Sequence, residues 1–338
     1  MMRAGIVGFG LAGRYFHAPT LVSAGFEVTA ICARSIEKKA AAHEDFPSAI
    51  LVNSIDELVA EDLDLIVVAS TNEVHEDHAR AAIDAGIATV VDKPMGRDYY
   101  ETLALFDHAD HHNVPITVFF NRLWDSDSLT IKKALKEGVL GQVFRADSRF
   151  ERFRPELNPA AWRENSSPEV GGGLLLDLQT HLVSTALDWF GPAQLVHSSV
   201  REIRGASNDD VVLVLKHDSG VDSYLSASAI VGAPGPKLRL SGDKGSLVIV
   251  ELDRQEELLR NGFKSAANTW LPPMEITSEA RIHKGTDSFS YQGVPGSYPT
   301  FYGLVRESLE IGSQLPVTRE FALNVARIID QARDISIR

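Results

Sequence analysis

A lysine, a histidine and a carboxylate in this chain have the types and spacing to move a proton together. Asp177 and His181 stand four apart in residues 171–181, GGGLLLDLQTH, behind three glycines that allow a close backbone approach. On a helix that spacing puts carboxylate and imidazole on one face. Lys93 lies far upstream, in Asp92-Lys93-Pro94 at the end of an apolar run. An imidazole, which titrates near neutrality, suits a general base. A lysine ammonium polarises a reacting oxygen and favours an alkoxide-like transition state. Asp177 can hold a substrate hydroxyl or orient the histidine. Given a hydride acceptor, the three could oxidise an alcohol. Asp-x-x-x-His could also be half of a zinc site, but no third ligand stands at a characteristic spacing, so no metal is expected. His108, His111 and His112 close an expected helix, whose dipole accounts for them without a metal.

The first residues point to the hydride acceptor. Gly8-Phe9-Gly10-Leu11-Ala12-Gly13 matches G-x-G-x-x-G directly after an apolar strand and directly before a helix. There the first glycine permits the tight turn, the second admits a pyrophosphate, and the third lets helix and strand pack closely. The amides of Leu11, Ala12 and Gly13 then open a helix whose positive end suits phosphate. The end of the second strand sorts NAD from NADP, because an acidic residue there would hold the ribose hydroxyls. Ala33-Arg34-Ser35 stands there instead, with Arg34 21 residues after Gly13. Arg34 can pair with a 2′-phosphate, and Lys38 and Lys39 add positive potential. Ser35 can donate to the same phosphate or cap the following helix. NADP is the expected cofactor, with NAD the less favoured one.

Other positions share the carboxyl edge of the expected sheet. Thr71 and Asn72 follow the strand ending at Ala69, where they contact cofactor or substrate, cap a helix, or do both; His75 belongs to the next turn. Pro94 fixes the chain after Lys93, and a cis Lys93–Pro94 bond is compatible with the sequence. Asn121 and Arg122 are candidate substrate contacts, and Trp162 and Arg163 could cover the nicotinamide and reach a phosphate or hydroxyl. Asp125 and Asp127 read as helix N-capping residues. His17 lies either near the phosphates or in packing.

The elements that must position these groups alternate in the first third. Strands are expected at residues 4–7, 26–32, 63–69, 88–91 and 116–120, with helices between them. Near-continuous apolar strands separated by helical patterns imply a parallel, doubly wound sheet. After Phe120 the pattern changes. A helix at 128–137, a long strand at 143–153 and a helix ending at Phe190 precede short strands at 195–203, 211–217, 221–227, 237–241 and 246–250. Turns such as Asp218-Ser219-Gly220 predict hairpins and an antiparallel or mixed sheet. Residues 261–297, rich in Gly, Pro and Ser, read as loop, and helices at 300–311 and 320–336 follow. The expected domains are 1–120 for the dinucleotide and 121–338 for substrate and self-association.

The chain is long enough for two domains, and 44% hydrophobic residues exclude wholesale disorder. A formal net charge of -13 argues against a nucleic-acid partner and gives no attraction to anionic lipid. No apolar stretch approaches the roughly 20 residues of a membrane span, and the first strand leaves no room for a signal peptide. Cys32 is the single cysteine, placed as a small buried hydrophobe, which fits a cytoplasmic setting.

The residues together resemble the glucose–fructose oxidoreductase / inositol dehydrogenase / MocA (Gfo/Idh/MocA) family. The resemblance runs through the Gly8 to Gly13 fingerprint, Thr71-Asn72-x-x-His75, Asp92-Lys93-Pro94, and Gly172-Gly173 through Asp177 to His181. Lys93 then fills the lysine of a Glu-Lys-Pro signature, with Asp92 in the glutamate position. Residues 121–127 and 150–155 are similar to a branch of NADP-dependent scyllo-inositol dehydrogenases and uncharacterised relatives. The resemblance implies an N-terminal Rossmann domain, a C-terminal α/β domain with an open, mostly antiparallel sheet, and a homodimer or homotetramer formed through that sheet. It also implies hydride transfer between a secondary alcohol of a cyclitol or sugar and NADP. A reductase of a non-carbohydrate C=O or C=N bond and a non-catalytic NADP-binding sensor are the alternatives.

Overall fold

The computed structural model describes residues 1–159, 162–205, 207–261 and 277–336. Its first sheet has six strands: β1 (Met2–Val7), β2 (Phe26–Cys32), β3 (Ile50–Val52), β4 (Leu65–Val68), β5 (Ala88–Asp92) and β6 (Ile116–Phe119). All neighbours are parallel, in the order β3-β2-β1-β4-β5-β6. Each residue of β4 and β6 is buried, as strands covered on both faces require. The covering helices are α1 (Ala18–Ser23), α2 (Ile36–Asp45), α3 (Ile55–Val59), α4 (His75–Asp84) and α5 (Tyr99–His112). A π-helical turn, Gly13–His17, leads into α1. Strand order reverses between β1 and β4, and the crevice outside the carboxyl ends there is where doubly wound sheets bind ligands. β3 was not expected from sequence, because three residues are too few to show a period.

The second sheet has eight strands. After α6 (Ser126–Glu137) come β7 (Val143–Glu151), α7 (Trp162–Asn165), α8 (Thr180–Phe190), β8 (Ala193–Arg201), β9 (Asp210–His217), β10 (Asp222–Ser228), β11 (Leu238–Gly242) and β12 (Gly245–Ile249). A short helix, α9 (Gln255–Arg260), precedes a hairpin of β13 (Ala280–Lys284) and β14 (Asp287–Tyr291). The order is β14-β13-β12-β11-β7-β10-β9-β8, and every pairing except β7 with β10 is antiparallel. Ile131 and Ala134 of α6 pack with Leu238, Leu240, Leu247 and Ile282 in one core.

The hairpin corrects the expectation of loop over 261–297. Ala280 and Ile282 face the core while Arg281 and His283 do not, so the period is two, hidden in a Gly- and Ser-rich composition. Residues 262–276 lie outside the described residues. β7 stops at Glu151, although Phe153 still bridges to Ile230.

The chain divides into two compact units. One comprises Met1–Asn121, Gln255–Pro273 and Ser297–Leu323; the other comprises Arg122–Arg254, Met274–Gly296 and Asn324–Arg338. A single break after residue 120 does not describe this division, because later segments return to the first unit. Phe301 and Tyr302 of α10 (Pro299–Ile311) pack on Phe119, and Arg306 donates to Ala24 O at 2.6 Å. Thr117 Oγ1 donates to Val317 O at 2.8 Å, and Arg319, which opens α11 (Arg319–Ser336), pairs with Asp107 and Asp110. Among the described residues, no helix is long and apolar enough to cross a membrane.

Candidate active site

The glycine loop leaves β1 at Gly8, whose φ of 97° is open to glycine at no steric cost. A β-carbon there would lie 2.5 Å from Ala69 O, and one at Gly13 would lie 2.0 Å from Gly8 O. Both glycines therefore serve close backbone packing. Gly10 differs: its added β-carbon would meet only Lys38 Nζ, at 3.9 Å. The middle of the loop thus has open space with an amine beside it, which fits a pyrophosphate. Arg14 N–H donates to Gly10 O at 3.0 Å, so Leu11, Ala12 and Gly13 form the first turn, whose amides have no acceptor within the helix.

Arg34 stands two residues beyond β2, exposed, and its guanidinium makes no hydrogen bond or ion pair with the described residues. Ser35 caps α2, its hydroxyl accepting from Lys38 N–H at 3.2 Å. Lys39 is bonded to Asn53. Cys32 is buried as expected, and burial pushes its thiol up, away from the reactive range.

Thr71 occupies the N-cap position of a short turn, Asn72–Val74, yet its side chain makes no capping bond. Asn72 is buried. His75 is buried too, with Nδ1 2.9 Å from Pro94 O and Nε2 3.1 Å from Ser70 O. Its ring ties the segment after β4 to the segment after β5. Lys93 follows β5, its N–H donates to Asp92 Oδ1 at 2.9 Å, and the Lys93–Pro94 bond is cis.

A buried polar chain stands behind Lys93. His17 is fully buried, with Nε2 3.5 Å from Asp92 Oδ1 and Nδ1 2.6 Å from the Tyr302 hydroxyl. Burial pushes the Asp92 carboxyl up, but the hydrogen bond and charge of His17, with the charges of Lys93 and His75, outweigh it. The carboxyl is held below its ordinary range. Burial, reinforced by the Asp92 charge, drives the Tyr302 hydroxyl well above its own. The sequence carries no signal for Tyr302, which lies 285 residues from His17.

In the second unit, Gly172 and Gly173 make room for neighbouring parts of the chain. A β-carbon at Gly172 would lie 2.0 Å from Ser166 O, and one at Gly173 would lie 2.3 Å from Asn208 Nδ2. Asn208 then accepts from Leu174 N–H at 2.9 Å and from Leu175 N–H at 2.7 Å. Asp177 sits in a π-helical turn, Leu175–Gln179, and His181 in the first turn of α8. Gln179 locks this helix to the sheet by donating to Val211 O at 3.0 Å and Leu225 O at 3.1 Å.

His181 is buried, its ring centroid 6.2 Å from that of Phe150. The same phenyl ring has Lys237 Nζ 4.0 Å from its centroid and the Arg122 guanidinium 5.5 Å away. Lys237 donates to Ser148 Oγ at 3.4 Å, and burial pushes its amine down, partly offset by Asp127 and Asp125. Lys237 escaped the sequence reading, because only the strand register, with Arg149 N–H donating to Lys237 O at 2.8 Å, brings it beside Phe150. The capping reading of Asp125 is corrected: it makes no capping bond and accepts instead from Arg122 at 3.1 Å. Asp253 takes the Ser126 N–H at 2.6 Å. Trp162 and Arg163 open α7, and their side chains lie outside the described residues.

The first unit therefore joins Gly10 with Lys38, and Pro94 with His75. The second sets Arg122 and His181 against one phenyl ring. Asn121 is buried at the end of the first unit's opening segment.

Residues 2–120 match the model of the oxidoreductase family with an NAD-binding Rossmann fold, and residues 128–248 match the GFO/IDH/MocA C-terminal domain. The chain is 33% identical to the scyllo-inositol 2-dehydrogenase (NADP(+)) IolW of Bacillus subtilis (strain 168), over 99% of this chain and 94% of that one. It is 28% identical to D-xylose 1-dehydrogenase (NADP(+)) 2 of Haloferax volcanii, over 67% of this chain and 69% of that one. The solved structure of the oxidoreductase yvaA from Bacillus subtilis superposes with a TM-score of 0.88 at 33% identity, covering 99% of this chain and 96% of that chain. The chain belongs to the GFO/IDH/MocA oxidoreductase family and is an NAD(P)-dependent dehydrogenase.

Proposed function

We propose that this dehydrogenase uses NADP and oxidises a secondary alcohol of a cyclitol or sugar. The observation that carries the cofactor reading is the exposed Arg34 guanidinium beyond β2, where an acidic residue would serve NAD, together with Lys38 Nζ beside Gly10. Relatives named as NADP-dependent dehydrogenases of an inositol and of xylose support it.

Gly10, Leu11 and Ala12 face the pyrophosphate in a turn that Gly8 and Gly13 shape by close packing; Arg34 and Ser35 hold the 2′-phosphate end, and Lys38 adds positive charge. Thr71, Asn72, Lys93 and Pro94 complete the cofactor surface, His75 supports it by holding Pro94 and Ser70, and Trp162 and Arg163 are assigned to it from the sequence. When bound, the nicotinamide supplies the hydride acceptor. Lys93 donates to the reacting oxygen and stabilises its developing negative charge. His181 takes the hydroxyl proton, Asp177 holds that hydroxyl in line, and Asn121 and Arg122 hold neighbouring hydroxyls. Self-association runs through the open face of the eight-stranded sheet, where Tyr224 is 41% exposed, and the setting is cytoplasmic. Sedimentation of the intact chain measures the first of these.

The test is the near-ultraviolet absorbance of reduced nicotinamide with NADP⁺ or NAD⁺ and a panel of ring polyols, aldoses and imines. Turnover of a polyol or aldose with NADP⁺ supports the proposal. Turnover confined to an imine, or tight NADPH binding without turnover of any panel member, overturns it.

A further inference from the structure

A second site lies on the surface of the first unit, at the carboxyl-terminal ends of α4 and α5. Asp84 is the last residue of α4, and His108 and His112 stand one turn apart at the end of α5. Both imidazoles turn their Nε2 atoms to the same carboxylate oxygen. His108 Nε2 lies 2.6 Å from Asp84 Oδ1 and His112 Nε2 lies 3.5 Å from it. The three atoms all fall within 4.8 Å of one another. The imidazole centroids are 4.6 Å apart.

The helix dipole accounts for histidines at the end of α5, but not for two of them meeting one carboxylate on another helix. A single hydrogen bond from His108 would satisfy Asp84 without His112. Asp107 and Asp110, on the same stretch of α5, are engaged by Arg319, which leaves Asp84 as the carboxylate this pair meets. Side-chain exposures of 57% for Asp84, 22% for His108 and 34% for His112 leave the cluster open to solvent.

We propose that Asp84, His108 and His112 bind one divalent transition-metal ion, of which zinc is the type. Two imidazole nitrogens and one carboxylate oxygen are a borderline donor set, matched to Zn²⁺, Ni²⁺ or Cu²⁺ and unsuited to Mg²⁺ or Ca²⁺, which take oxygen ligands. Ligand bonds of about 2.1 Å put tetrahedral neighbours about 3.4 Å apart, so small rotations of exposed side chains close the site. Water fills the remaining positions. The ion clips together the far ends of two helices whose opposite ends are His75 and Tyr99, so it stabilises the unit and leaves the alcohol chemistry unchanged.

The test uses tag-free, chelator-treated full-length protein titrated with ZnCl₂ by calorimetry, with thermal unfolding read in parallel. The expected result is saturable binding of one Zn²⁺ per chain and a rise in Tm that MgCl₂ does not produce. His108→Ala and His112→Ala each weaken Zn²⁺ binding by about tenfold or more and abolish the rise, a loss at least as large as outer-shell changes cause. His111→Ala keeps both, and all three variants keep wild-type circular dichroism. Electron paramagnetic resonance of bound Cu²⁺ gives a second readout, with nitrogen hyperfine structure that His108→Ala and His112→Ala diminish. No saturable Zn²⁺ binding, equal affinity in all variants, or an equal response to MgCl₂ overturns the proposal.

Discussion

The imidazole of His17 lies 3.5 Å from Asp92 Oδ1, immediately before Lys93 in the chain, and its other nitrogen meets Tyr302. A fully buried histidine thus anchors the carboxylate that receives the Lys93 amide. His17→Leu removes the ion-pair partner of that carboxylate and the hydrogen-bond partner of the Tyr302 hydroxyl. Leaving buried polar groups unsatisfied costs about 1–3 kcal/mol. Urea unfolding should show a loss of that size, and an unchanged midpoint would remove His17 from the chain.

Gly10 and Gly13 should answer differently to the same methyl group. Gly13→Ala forces a β-carbon to within 2.0 Å of Gly8 O, and such overpacking costs about 1–3 kcal/mol of stability. Gly10→Ala meets only Lys38 Nζ at 3.9 Å, so stability stays within about 0.5 kcal/mol while dinucleotide affinity falls. Thermal unfolding with and without NADPH separates the two effects.

Arg34→Ala should weaken NADPH about tenfold or more and NADH much less, as expected for the loss of one charge-assisted contact to a 2′-phosphate. Fluorescence titration of both cofactors measures it. Equal weakening would assign Arg34 no part in reading the phosphate.

Lys93→Ala and His181→Ala should each lower kcat by about 10²-fold or more, the range of general acid–base contributions. Unfolding midpoints close to wild type would show that the loss is chemical. Full activity in both variants would contradict their roles.

Acid stability should depend on His217. Its Nδ1 lies 2.9 Å from Gly191 O and its Nε2 2.9 Å from Ser223 Oγ. Burial pushes its pKa down by more than the Gly191 carbonyl and nearby aspartates raise it. The unfolded chain takes this proton near the ordinary value of about 6.5, and the folded chain only at lower pH. Between those two values the unfolded state binds more protons, so stability falls as pH drops through that window. His217→Gln should remove that part of the fall as pH drops below about 6.5. Urea midpoints across that range measure it, and an unchanged slope would contradict it.

The first sheet is legible because its strands are local signals: Leu65–Val68 is four buried aliphatic residues, and the glycine fingerprint lies within six. Lys93 and Gly10 are singled out the same way, from neighbours in sequence. Tyr302, Asn208 and Lys237 are not, because each acts through a partner brought close only by the fold. Local rules put Asp125 at the N-cap position but do not give its bond. A capping position is satisfied by whichever oxygen is nearest, and Asp253, 127 residues after Ser126, takes the amide while Asp125 turns to Arg122. Gly172 and Gly173 do serve a close approach, but the sequence does not say that Ser166 and Asn208 are what they approach.

The most direct test follows the hydride itself. The enzyme is incubated with NADP⁺ and a ring polyol deuterated at its carbinol carbons, and the reduced cofactor is examined by mass spectrometry. Each NADPH formed should carry one deuterium, with formation slowed in Lys93→Ala and His181→Ala. Failure to form labelled NADPH under conditions where NADPH binds tightly would contradict it.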